Sequence, residues 1–245
     1  MANALSLSVV VPAYNERENL AGAVLDVLDA LTNFDDYEVI VVNDGSQDGT
    51  AEVADRLAAE HDHVKVVHHP VNRGFSAAYR TGLDHARMEY FTFVPGDHEV
   101  TPESVQAIFG AVGSADIVIP YHGTPWNRTW NRRILTWICT TQINVLFGHH
   151  LKYFQGPAVY PTAVARALPN TTTGFFFATE MLVHALRMGY SWVEVPLTHR
   201  ERTYGTSKAV RPSNVVNAQL TILRLWWRIR VRGEVKTRPS LGVGA

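Results

Sequence analysis

Two acids two residues apart, Asp97 and Glu99, stand in the stretch Phe93-Val94-Pro95-Gly96-Asp97-His98-Glu99, directly after an apolar run. Mg²⁺ and similar hard cations take oxygen ligands, often only one or two carboxylates with waters and substrate phosphates, so this pair and a diphosphate can make a metal site. The same residues also make an ordinary polar loop, because Pro95, two before Asp97, offers no ligand. His98, between them, alternates to the other side. A third acid, Glu180, stands near the start of the helical pattern GFFFATEMLVHALRMGY. It either faces a second substrate or sits favourably against the helix dipole. Finally, RERTYGTSK places Arg200, Arg202, Gly205, Ser207 and Lys208 within nine residues. Arginine forks and a glycine that allows close backbone approach suit a phosphate clamp; a solvated basic loop has the same composition.

The elements that must hold these groups are legible in the first 120 residues. Apolar, β-branched strands are expected at 7–11, 38–42, 64–67, 90–94 and 116–120. Helices are expected at 18–30, 50–60, 76–87 and 102–111, with Pro102 just inside the start of the last. That alternation predicts an α/β fold, a mainly parallel sheet covered on both faces. Ligands of such sheets bind at the carboxyl ends of the strands. Four polar loops fall there: PAYNE (12–16), NDGSQDGT (43–50), HHPVNRG (68–74) and PGDHE (95–99). One such loop reads as a turn and helix cap; four together read as a ligand site.

The ordered set VVVPAYNERENL, VIVVNDGSQDGT, NRGFSAAYRTGL and FTFVPGDHEVTPE resembles the nucleotide-binding half of family 2 glycosyltransferases of GT-A fold. ATEMLVHALRMGYSWVEVPLTHRERTYGTSK resembles the end of the polyprenyl-phosphate sugar transferases, the group of dolichol-phosphate mannose synthase. The resemblance implies a GT-A domain over 1–210, with a nucleotide-sugar half (5–120) and an acceptor half (121–210). It implies that Pro12, Tyr14, Glu16 and Gly74 border a UDP- or GDP-linked sugar and that Asp44 contacts the base. Asp97 and Glu99 would bind Mg²⁺ or Mn²⁺, with Pro95 in place of the first acid of the family's DxD. Asp97, Glu180 and Arg202 would serve catalysis. Arg133, Arg200, Arg202, Ser207 and Lys208 would take the acceptor phosphate. Tyr153 and Gln155 stand where the family often has an acid before its SG.

Charge and chemistry bear on the acceptor. Residues 1–120 hold 19 Asp/Glu against 6 Lys/Arg, and residues 121–245 hold 4 against 16. A basic half expects an anionic partner. A hydroxyl acceptor wants a general base, whereas a phosphate is already anionic; only Glu180 and Glu194 lie between 121 and 198. The expected activity is inverting transfer from a nucleoside-diphosphate sugar to a polyprenyl phosphate. The rivals are a hydroxyl acceptor with Glu180 as base and a non-catalytic nucleotide-sugar binder; a nucleic-acid binder leaves the acidic half unexplained. The single cysteine, Cys139, excludes an internal disulfide and fits a reducing compartment. The start MANALSLSVVV reads as a strand and not a signal peptide. No run of ~20 apolar residues predicts a spanning helix. Trp226 and Trp227 among Arg224, Arg228, Arg230 and Arg232 fit either an interfacial helix over 211–232 or a terminal helix packed on the core. Residues 233–245 read as a disordered tail. The chain is thus expected to be cytoplasmic and peripheral to a membrane, with room for a separate anchoring subunit.

Overall fold

Valine and isoleucine dominate β1 (Ser6–Ala13) and β2 (Asp36–Asn43), and most residues of both strands are buried. In the computed structural model, which describes residues 5–123, 130–169, 171–172, 174, 176–200 and 212–234, they pair in parallel from Ser6↔Asp36 to Ala13↔Asn43. β3 (Val64–His68) adds to β2, and β4 (Tyr90–Phe93) adds to the other side of β1, both parallel. β6 (Tyr160–Pro161) then pairs antiparallel with β4, giving the order β3-β2-β1-β4-β6.

The fifth expected strand does form, as β5 (Ile117–His122), but outside that sheet. β6 occupies the free edge of β4, so β5 pairs in parallel with β7 (Trp192–Leu197) as a separate ribbon. A single antiparallel bridge, Val118↔Val159, ties the ribbon to the chain leading into β6.

Alternation along β1 and β2 sets the layers. Leu7, Val9, Val11, Val39 and Val41 pack with α1 (Leu20–Ala30), α2 (Thr50–Glu60) and α4 (Pro102–Gly110). Val10, Ile40 and Val42 face the other way. They share a core with α3 (Phe75–His85), α5 (Trp130–Phe147), α6 (Thr162–Ala167), α7 (Phe176–Arg187) and α8 (Pro212–Trp226). One π-helical turn, Trp227–Val231, continues α8. Pro102 opens α4 after the Thr101 cap, as its sequence position predicts. Among the described residues no helix is long and apolar enough to cross a membrane.

Candidate active site

The loops leaving β1 and β2 are laced together. Asn15 N–H donates to Ser46 Oγ at 3.0 Å, and Gln47 N–H returns a bond to Asn15 Oδ1 at 3.0 Å. Glu16 N–H donates to Thr50 Oγ1 at 2.9 Å and Arg17 N–H to Asp48 Oδ2 at 3.3 Å. Asn15 is left-handed (φ 57°), a conformation that asparagine tolerates better than most residues. Pro12 is buried, and its carbonyl accepts the Gly96 N–H at 3.0 Å, bringing the β1 and β4 loops side by side. Glu16 is half-buried and Tyr14 exposed, so the PAYNE loop offers its polar groups at the sheet's carboxyl edge.

Asp44, expected to meet the nucleotide base, is given a different task. It is 3% exposed. Oδ1 accepts from Arg73 N–H at 2.9 Å and pairs with His69 Nδ1 at 2.7 Å, while Oδ2 accepts from Gly74 N–H at 2.8 Å. The carboxylate therefore clamps the loop after β3 to the end of β2. Gly74 caps α3 with φ 87°, a left-handed backbone that costs glycine little, and a Cβ there would meet nothing within 4 Å.

Asp97 and Glu99 lie half-buried on the loop after β4. Asp97 Oδ1 accepts the Glu99 N–H at 3.2 Å, the Asx-turn arrangement. His98 between them is left-handed (φ 56°), and its ring turns away onto Gly22 of α1. There His98 Nε2 pairs with Asp26 Oδ2 at 2.8 Å. Arg200 closes the group: Nη2 donates to the same Asp26 oxygen at 3.1 Å, Nη1 meets His98, and its backbone N–H donates to Glu99 O at 2.7 Å. This corrects the expectation for Arg200. Its guanidinium is spent on Asp26 and His98 beside α1, where it fastens the acceptor half to the Asp97–Glu99 loop.

Two hard oxygen ligands on one loop fit Mg²⁺ or Mn²⁺ when a diphosphate supplies the rest. Among the described residues no group of three or more His, Cys, Asp or Glu gathers to hold an ion by itself.

Glu180 is a second correction. It is fully buried inside α7 and accepts from Thr171 N–H (2.9 Å), Thr171 Oγ1 (2.7 Å), Thr172 N–H (2.8 Å) and Arg228 Nη1 (3.0 Å). Burial alone would raise its carboxyl pKa; the bonds from Thr171 and Thr172 outweigh that and hold it below the ordinary carboxylate value. Buried and bonded to four donors, this carboxylate presents no free oxygen to a hydroxyl acceptor in this arrangement. It ties α7 and the chain at 171–172 to the end of the C-terminal helix. Glu194, the other acid among the described residues of 121–200, sits mid-strand in β7 and accepts the Lys152 N–H at 2.8 Å.

Arg133 is exposed in the first turns of α5, 5.5 Å from the Trp130 ring centre. Arg202, Ser207 and Lys208 lie outside the described residues. Sequence reasoning passed over the aromatic wall between the loop of Asp97 and the β5–β7 ribbon. The His122 ring, ending β5, packs at a tilt with its centre 4.3 Å from that of Tyr153 and 5.0 Å from that of His199, and His199 bridges Val100. A strand's last residue being histidine was the one available signal. At the opposite, amino end of the sheet a cleft of about 380 Å³ is lined by Glu38, Lys65 and Arg87, whose charges pair with one another.

Comparison with known proteins places this geometry. Residues 8–168 match the family Glycosyl transferase family 2. Polyprenol monophosphomannose synthase of Mycolicibacterium smegmatis is 34% identical over 91% of this chain and 87% of its own. Undecaprenyl-phosphate mannosyltransferase of Micrococcus luteus is 31% identical over 96% of this chain and 98% of its own. Among solved structures, glucosyl-3-phosphoglycerate synthase from Mycobacterium tuberculosis, in complex with Mn²⁺, UDP and phosphoglyceric acid, superposes with a TM-score of 0.67. The superposition spans 98% of this chain and 82% of that one at 18% identity, a likeness of fold. With the family match over most of the sheet and relatives spanning nearly the whole chain, this protein belongs to glycosyltransferase family 2.

Proposed function

We propose that this chain transfers a mannosyl group from a nucleoside-diphosphate sugar, GDP-mannose first among candidates, to a polyprenyl phosphate. One observation carries the choice of acceptor: Glu180 is sealed from substrate, and Glu194 is held mid-strand. Among the described residues of 121–200 these are the only acids, and a hydroxyl without a base is a poor nucleophile. A phosphate monoester needs none. The names of the two mannosyl relatives support the same reading.

In this reading an acceptor phosphate oxygen attacks the anomeric carbon as the bond to the diphosphate breaks, and the nucleoside diphosphate leaves with the electron pair. Configuration inverts, and no proton need move. The laced loops at Pro12, Tyr14 and Glu16 and the Gly74 turn bind and orient the nucleotide sugar. Asp44 fixes the last of these loops from beneath. Asp97 and Glu99 would hold Mg²⁺ or Mn²⁺, which when bound neutralises charge on the leaving diphosphate. Arg202, Ser207 and Lys208 supply donors to the acceptor phosphate, and Arg133 extends that basic side.

The test is transfer of labelled sugar from GDP-mannose, UDP-glucose or UDP-GlcNAc into a short polyprenyl phosphate, with Mg²⁺ or Mn²⁺ and with chelator. The expected result is organic-phase label from GDP-mannose that chelation abolishes. Nucleotide-sugar binding with no label from any donor would overturn the lipid-phosphate acceptor.

A further inference from the structure

Asp44 reaches beyond the loop it clamps, through a histidine. His69 directly follows β3, and both side chains are 4% exposed. A carboxylate only accepts, so the 2.7 Å bond puts the imidazole proton on Nδ1 and leaves Nε2 as an acceptor. The partner of Nε2 is the Thr81 hydroxyl, at 2.9 Å. The three side chains form one line, Asp44–His69–Thr81, from the end of β2 past the loop after β3 to α3.

That line grips one helix twice. Asp44 Oδ2 takes the N–H of Gly74, the residue that caps α3, and His69 takes the hydroxyl of Thr81, seven residues on. Seven residues of α-helix are two turns, about 10 Å. Two fixed points set both where a helix begins and which way it runs; one would leave it free to tilt. The backbone is held at the same place, with His69 N–H donating to Asn43 O and Asp44 N–H to Ala13 O, each at 2.9 Å. The next residue, Gly45, is left-handed (φ 72°) and lies against the Val71–Asn72 peptide, where an added Cβ would stand 2.5 Å from the Val71 carbonyl carbon. Apolar side chains would fill this space as well. A buried polar line instead selects one arrangement, because any group left unpaired is costly.

We infer that His69 and Thr81 are positioning residues for the nucleotide sugar, holding the Gly74 turn and the start of α3 at the angle that receives it. His69 is too deeply buried to meet the ligand, and the Thr81 hydroxyl is turned to His69. A helix start carries open N–H groups and favours an anion, so a diphosphate there feels the tilt of α3. The inference rests on the reading of the Gly74 turn as part of the nucleotide-sugar site.

The experiment is calorimetric titration of the full chain with GDP and with UDP in Mg²⁺, beside steady-state transfer. Thr81→Val keeps the shape and removes the hydroxyl; it should raise the Kd of the nucleotide that binds about fivefold, the worth of one hydrogen bond. In His69→Asn the amide stands near Nδ1, keeps the bond to Asp44 and gives up Thr81, so the same rise is expected. The double variant should be no worse than either, because both break one bond. Thr81→Ser restores the hydroxyl and should return Kd to within about twofold of wild type. In transfer, Thr81→Val should raise the KM for donor and leave that for acceptor unchanged. Thr81 is only half-buried, so its variants decide the matter even where His69→Asn folds poorly. A line that merely holds the fold would lower the melting temperature of Thr81→Val and leave Kd and both KM values alone. That result overturns the inference, as does Thr81→Ser binding no better than Thr81→Val, or a wild type that binds neither nucleotide. Binding that follows the expected pattern in a protein that transfers to no polyprenyl phosphate supports the positioning line while the proposed function fails.

Discussion

At the scale of single residues, burial separates the acids that can act from those that hold the fold. Asp97 and Glu99 remain half-buried on a loop, whereas Glu180 is sealed and meets four donors. Replacing Glu180 by Gln should therefore cost stability, about 2 kcal/mol for bonds to a charged group, read from urea unfolding at pH 7. Transfer per folded molecule should stay within about twofold of wild type, since no catalytic role is being removed. The pH dependence has a definite sign. The folded-state pKa of Glu180 lies below the unfolded value, so its contribution is fully present above about pH 4.3 and is lost as pH falls through the lower folded pKa. The Gln variant should show a shallower acid limb. A large loss of transfer at unchanged stability would return Glu180 to the catalytic set.

At the scale of elements, the packing of α3 against β1 rests on a position whose type gives little away. Gly82 lies inside α3, where glycine is an expensive helix former, and a Cβ there would collide with the Val10 side chain. Gly82→Ala gains up to ~1 kcal/mol of helix propensity but must displace a core strand. A net loss of about 1–3 kcal/mol is expected, measured as a lowered thermal midpoint; a raised midpoint would show that α3 can move outward without cost. The contrast between Gly82 and its surroundings also marks what sequence conveys. The β-branched runs and amphipathic spacings placed five strands and four helices within a few residues of where they form, and the polar loops fell at the carboxyl ends of the strands, where the candidate site lies. Partners across the fold carry no such local mark. The pairing of β5 with β7 depended on the two-residue β6 taking the edge of β4, and nothing in the text NDGSQDGT says that Asp44 turns inward to the 73–74 amides. Glu180 misled for the same reason: its donors, Thr171, Thr172 and Arg228, come from either side of it in the chain and meet it only in the folded state.

Across the whole molecule, the acidic half and the basic half meet at a small ionic joint. Asp26 belongs to α1 in the nucleotide-binding half, His98 to the loop of Asp97 and Glu99, and Arg200 to the chain leaving β7 toward Arg202, Ser207 and Lys208. Arg200 thus links the proposed metal loop to the proposed acceptor clamp, and the Val100↔His199 bridge runs beside it. The pair is about a third exposed on the arginine side, so its direct value is that of a screened ion pair, up to ~1 kcal/mol. Its consequence should lie in positioning. Arg200→Ala should raise the KM for acceptor about fivefold, the equivalent of that energy, and leave the KM for donor nearly unchanged. Asp26→Asn should do the same, although Asp26 is an acid that no acceptor phosphate would seek. The double variant should be no worse than either single one, because both substitutions open the same joint. If Arg200 instead served the phosphate directly, removing Asp26 would free the guanidinium and lower the acceptor KM. The sign of the Asp26→Asn effect in steady-state kinetics therefore separates an arginine that places the clamp from one that is part of it.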